Sequence, residues 1–179
     1  MPTISKLDAA KRLIISGIHM HENKEDPLAT HVVAASALNL LRELIASSGE
    51  PYQMRVLREG IFLSAIAYLE KRPVNIPDTQ EVNELIEKVA AAIQEGELMD
   101  ASQLKIDLEK QKIIALLDSV YRPYNFLKHA DKDPLETLED GDVAPAVAIL
   151  HALTAFGWVS SDRSWPDSVA PFFEKQGIS

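Results

Sequence analysis

The stretch Asp26–Gly49, DPLATHVVAASALNLLRELIASSG, decides how this chain folds. Asp26 followed by Pro27 reads as an N-cap with proline in the first helical position, where its missing N–H is one the helix would leave unused. No glycine or further proline interrupts the run before Gly49, so the spacing predicts one helix from Pro27 to about Ser47, closed by Gly49. From Leu28 to Leu38 it is apolar nearly all round, which a surface helix is not. Ala29, Ala34, Ala35, Ser36 and Ala37 are small enough to let neighbouring helices come close. A helix of this kind needs partners on several sides, and the rest of the chain supplies them.

Working outward, apolar residues recur at three and four rather than at two, in segments punctuated by Pro, Gly or Asp. Ser5-Lys6-Leu7-Asp8 resembles a capping box and predicts a first helix with Leu7, Ile14 and Ile18 on one face. The polar stretch His19–Asp26, HMHENKED, is expected to end it. A third helix is predicted from Tyr52 to about Lys71, stopping before Pro73, with Pro73 to Pro77 as a connector. Asp78 and Glu81 form another capping-box candidate for a helix that carries Val82, Leu85, Ile86, Val89 and Ile93 inward and ends at Gly96. A fifth is predicted from about Ser102 to Tyr121, with Leu104, Leu108, Ile113, Leu116, Leu117 and Val120 facing the core, kinked or ended by Pro123. A short polar helix at Tyr124 to Ala130 follows. Asp142 is expected to cap another through about Trp158, and a last short one lies between Asp167 and Gln176, stopped by Gly177. The predicted fold is all-α: a single domain, residues 1–179, built as a bundle of five long helices plus short ones.

Composition narrows the function. The chain has 179 residues, 46% hydrophobic, which suits one ordinary globular domain. It has no Cys, which removes disulfides, thiolate metal sites and cysteine nucleophiles, and makes the cytoplasm the expected setting. No signal peptide is read in the first residues, no uninterrupted apolar run reaches the roughly 20 residues of a membrane span, and no membrane partner is expected. Net charge is −9, from 18 basic and 27 acidic residues, so a polyanion would need a local basic patch. No Gly-x-Ser-x-Gly elbow and no phosphate-cradling glycine loop occurs.

One block carries concentrated chemistry: Arg122–Pro134, RPYNFLKHADKDP. On a helix, Arg122, Asn125 and His129 fall within about 60 degrees of one another and form one polar stripe, with Phe126 and Leu127 expected to anchor the other side. A guanidinium, a carboxamide and an imidazole converging in this way suit a phosphate or carboxylate, since Arg offers a planar fork of donors and His can hold or move a proton near neutral pH. Asp131 and Asp133 lie close enough to orient the imidazole or bind a cation. The same residues also serve as helix caps and a structural hydrogen-bond network in the alternative reading.

Two stretches, about Ile4 to Leu44 and Tyr121 to Leu138, resemble a bacterial family of small, largely uncharacterised all-helical proteins. Its members look like LDAAKRQL, then D(P/V)xxIHTLAAAA, then NFFKHADRDP. The matching text here is LDAAKRLI, DPLATHVVAASALNLL and NFLKHADKDPLETL, about a third of the chain. The resemblance implies an all-helical fold with His31 near the block of His129, and supplies no reaction. A wider similarity is to HEPN domains, helical bundles that include metal-independent ribonucleases, whose motif is an Arg, a polar residue and a His shortly after. Arg122 and His129, with six residues between them, match it, although Pro123 stands where the polar residue belongs. That similarity implies His129 as the base on a ribose 2'-hydroxyl, Arg122 on the phosphate's developing charge, Asn125 and Lys128 as phosphate contacts, RNA or a nucleotide as partner, no cofactor, and sites paired across a homodimer.

Other readings stay open. His31, His129 and Asp131 or Asp133 make a composite metal site if the helices bring them together. His19 and His21 suit a metal only off a helix, where they would point about 200 degrees apart. The segment Asp78 to Asp100 sets seven carboxylates against Lys88, a solvated face or a surface for a basic protein partner. Trp158, Trp165, Phe172 and Phe173 are expected to close the core or form a dimer contact.

Overall fold

A computed structural model describes residues 3–47, 49–73, 80–106, 118–128, 134–162 and 164–177, and among them the chain is helical with no strand. The helices are α1 (Lys6–Glu22), α2 (Pro27–Ala46), α3 (Tyr52–Leu69), α4 (Gln80–Gln94), α5 (Asp118–Lys128), α6 (Pro145–Val159) and α7 (Ala170–Gln176). The chain divides into two compact units, Met1–Pro51 with Leu116–Ser179, and Tyr52–Ala115. The division falls at the edges of the third predicted helix and of the segment before α5, not at the Pro73 to Pro77 connector.

In the first unit α2 is central and packs against α1, α5 and α6. Asp26 caps it as expected, its Oδ1 accepting from the Ala29 N–H at 2.8 Å. Its sides bury Ala34, Ala35, Ala37, Leu38, Leu41 and Ile45, the small residues supplying close approach and the large ones the apolar area. The partners answer with Ala10, Ile14 and Ile18 of α1 and Ala148, Ile149, Ala152, Ala155 and Phe156 of α6. By length and composition alone, Pro27–Ala46 and Asp140–Val159 are long and apolar enough to cross a membrane, which run length in the sequence did not show. Within this unit α2 spends that hydrophobicity on its helical neighbours.

Helix α1 starts on the predicted capping box, with Ser5 and Asp8 satisfying each other's backbone N–H. It does not stop at His19. The polar run stays helical to Glu22 because the C-terminal segment docks along it: Ser168 Oγ lies 2.9 Å from His19 Nε2, the Phe172 ring meets His21 edge-on at 5.8 Å, and Lys175 pairs with Glu22. The same segment sends Asp162 Oδ2 to within 2.6 Å of Lys11 Nζ, whose ammonium sits 5.4 Å from the Trp165 ring centre. Lys11 and Ser164 hold the Asp162 carboxyl well below the usual carboxylate range. Val169 and Phe172 are fully buried, so the tail closes the core as one of the two expected arrangements requires. Gly177 ends α7 in the left-handed region, at φ 66°.

Further boundaries differ from the sequence-based expectation. Ser102 lies in a short 3-10 turn, Ala101–Gln103, boxed by Asp100 and Gln103, and residues 104–106 are not helical; residues 107–117, with Leu108, Ile113, Leu116 and Leu117, lie outside the described residues. Pro123 neither ends nor precedes a helix but sits inside α5.

The second unit pairs α3 with α4. Ile61, Ala65, Ile86, Val89, Ala90 and Leu98 form its core, with Leu57, Phe62 and Ile93 packed around it. Glu84, Glu87 and Lys88 are exposed, so the acidic residues of α4 that are described face water. The cap expected from Asp78 and Glu81 falls outside what is described. Gly60 lies within α3 with nothing within 4 Å of where a Cβ would sit. A glycine there loses backbone entropy on folding and gains no packing, so Gly60→Ala is expected to stabilise the chain by about 0.5–1 kcal/mol. Urea unfolding followed by circular dichroism checks this as a raised midpoint with an unchanged slope.

Candidate functional site

Helix α5 carries the first half of the block. Val120 and Pro123 are buried, three residues apart on one face, while Arg122, Asn125 and Lys128 are exposed. The helical stripe expected for Arg122 and Asn125 is therefore present and faces water. Leu127 does not anchor the opposite side: it is 48% exposed, and Val120 and Pro123 do the anchoring. His129, Asp131 and Asp133 lie outside the described residues.

Proline within a helix removes one N–H and crowds the carbonyls of the preceding turn. The Val120 carbonyl, in that turn, accepts from an outside donor, His31 Nε2 at 2.7 Å. A carbonyl only accepts, so Nε2 carries the proton and the neutral ring leaves Nδ1 bare. His31 is fully buried, and burial pushes its pKa below the ordinary value of 6.5, against a smaller opposite pull from the backbone of Val120 and Ala144. Of the two uses the sequence allows His31, a buried hydrogen bond to a carbonyl and a ligand contact, the geometry realises the first. It meets the buried side of α5, about 200 degrees around the helix from Arg122, and cannot reach a ligand held on the exposed side.

Arg122 Nη1 lies 2.8 Å from Asp142 Oδ2, both side chains being more than a third exposed. Asp142 was expected to cap α6. That helix instead starts with Pro145 at its first position and has no side-chain cap, and Asp142 sits in a 3-10 turn, Asp140–Asp142, beside α5. An exposed pair of this kind contributes about 0–1 kcal/mol, so a stronger anion can displace the aspartate.

Arg42, Tyr121 and Tyr124 join the site beside Lys128. Arg42 of α2 stacks 4.9 Å from the Tyr121 ring centre, with its Nη2 held 3.1 Å from Asn39 Oδ1. Burial pushes the Tyr121 phenol up to about 12, opposed by Arg42. One turn on, Lys128 Nζ lies 5.7 Å over the Tyr124 ring. Tyr121, Tyr124 and Lys128 stand at helical spacing and could have been read as a second stripe; Arg42, 79 residues from Tyr121, could not.

Of the composite metal site, His129, Asp131 and Asp133 lie outside the described residues; among those described no group of three or more His, Asp or Glu gathers, and His31 Nε2 is bonded to a carbonyl. His19 and His21 are on a helix, turned to separate contacts with the C-terminal segment. His151 is mostly buried, which lowers its pKa. No family model, curated protein or solved structure matches the chain.

His31 makes stability depend on pH. Its folded-state pKa is depressed, so the unfolded chain takes up the proton first as pH falls; the contribution is complete above about pH 6.5 and is lost as pH drops through the folded value. His31→Leu, which cannot donate to Val120, is expected to cost about 1–3 kcal/mol at pH 7.5. It should also flatten the loss of stability between pH 7.5 and 5, leaving the share due to His151. Chemical denaturation at both pH values checks the two effects together.

Proposed function

We propose that this protein is a HEPN-like helical domain that binds a phosphate-bearing ligand, RNA being the form tested, on the exposed face of α5. The observation that carries this reading is Arg42 over the Tyr121 ring and Lys128 over the Tyr124 ring, with Arg122 exposed on the same helix, in a chain of net charge −9. Lys128 and Asn125 make the outer phosphate contacts. Arg122 exchanges Asp142 for a phosphate oxygen, a swap favoured because a guanidinium holds a phosphate through two parallel hydrogen bonds. In the catalytic form of this reading His129 takes the proton of a ribose 2'-hydroxyl and Arg122 steadies the charge that develops on the phosphate.

The Arg122–Asp142 pair also favours a second reading, a non-catalytic protein-interaction module in which α5 is a brace. The two diverge in one experiment. Binding of a fluorescent single-stranded RNA octamer is measured for the native chain, Lys128→Ala and Asp142→Asn. Ligand binding predicts a salt-dependent affinity, weakened about three- to tenfold by Lys128→Ala and strengthened by Asp142→Asn, which frees Arg122 and removes a repelling charge. Absence of salt-dependent binding, or weaker binding in Asp142→Asn, overturns the ligand reading in favour of the brace.

A further inference from the structure

Where α1 begins and α2 and α6 end, Leu7, Leu44, Trp158 and Val159, with Ser5 and Lys6, line an open groove of about 560 Å³. That volume is in the range of small-molecule sites, which are mostly apolar with a few placed polar groups. The lining here is four apolar side chains and a single charged one, Lys6. The carboxylate next along α1, Asp8, is engaged elsewhere: its Oδ2 accepts from Ser5 Oγ at 2.7 Å and from the Ser5 N–H at 3.2 Å, and those bonds lower its pKa. The charge left to a ligand is therefore the Lys6 ammonium.

The geometry points to a binding site for a free medium-chain carboxylate, its hydrocarbon along Leu7, Leu44, Trp158 and Val159 and its head group on Lys6 Nζ. A compact polyanion would leave the apolar wall uncovered, and a neutral chain would leave the ammonium without a new partner. The groove shares no residue with the α5 face, so the two readings stand or fall separately.

The experiment is calorimetric titration of the full chain with decanoate below its micelle concentration, and with decanol as the uncharged match. Saturable one-site binding of decanoate is expected, weakened about tenfold by Lys6→Gln while decanol binding is unchanged. Leu44→Asp should abolish both with helical content intact, and Val159→Asp serves in its place should that variant unfold. Non-saturating heat, decanoate affinity indifferent to Lys6→Gln, or a dimer in sedimentation that Leu44→Asp dissolves would each overturn the assignment, the last by giving the groove to a second copy of the chain.

Discussion

A buried imidazole has to find a hydrogen-bond partner, and in this protein that requirement ties the central helix to the one bearing the polar block. His31 lies in the otherwise apolar wall of α2, and its Nε2–H reaches the Val120 carbonyl on α5. Van der Waals packing alone allows helices to slide by fractions of a turn at little cost, but a directional bond between a ring nitrogen and one carbonyl does not. Pro123 lies on the same buried side of α5 as Val120 and adds apolar contact beside that bond. The outward direction of Arg122, Asn125 and Lys128 follows from which side of α5 this bond holds inward.

Around that link the first unit is built on small residues. A methyl added at Gly17 of α1 would sit in ordinary van der Waals contact with Ala34 and Ile149, at 3.7 Å, so α1, α2 and α6 meet there with about one methyl's space between them. The C-terminal segment then covers α1 with mixed chemistry: Phe172 and Val169 are buried, while Asp162, Ser168 and Lys175 hold the polar side chains of α1. A helix end that reads as too polar to persist becomes stable once those side chains have partners, since isolated helical turns are marginal and tertiary contact supplies the difference.

The same logic separates the features that the amino-acid order settles from those it leaves open. Ser5 with Asp8 and Asp26 with Pro27 are read correctly as helix starts, because a cap is a bond between residues three apart and owes nothing to the rest of the chain. Gly177 as a stop is equally local. Of the two outcomes expected at Pro123, a kink or an end, the end does not occur: the helix runs through it from Asp118 to Lys128. Asp142 is misread as a cap, since a carboxylate beside a helix start has another use when a guanidinium lies within reach.

By itself, then, the sequence determined an all-helical chain, the starts of the first three helices, the central role of Pro27–Ala46 and the exposed stripe of Arg122 and Asn125. Those properties depend on periodicity and on hydrogen bonds spanning a few residues. Only the tertiary structure decided that His31 serves a backbone carbonyl, that Asp142 answers Arg122, and that Arg42 lies over Tyr121. Each of these joins helices distant in sequence, and the choice among many chemically equivalent partners is made by how the apolar faces close, which no short stretch of the chain encodes.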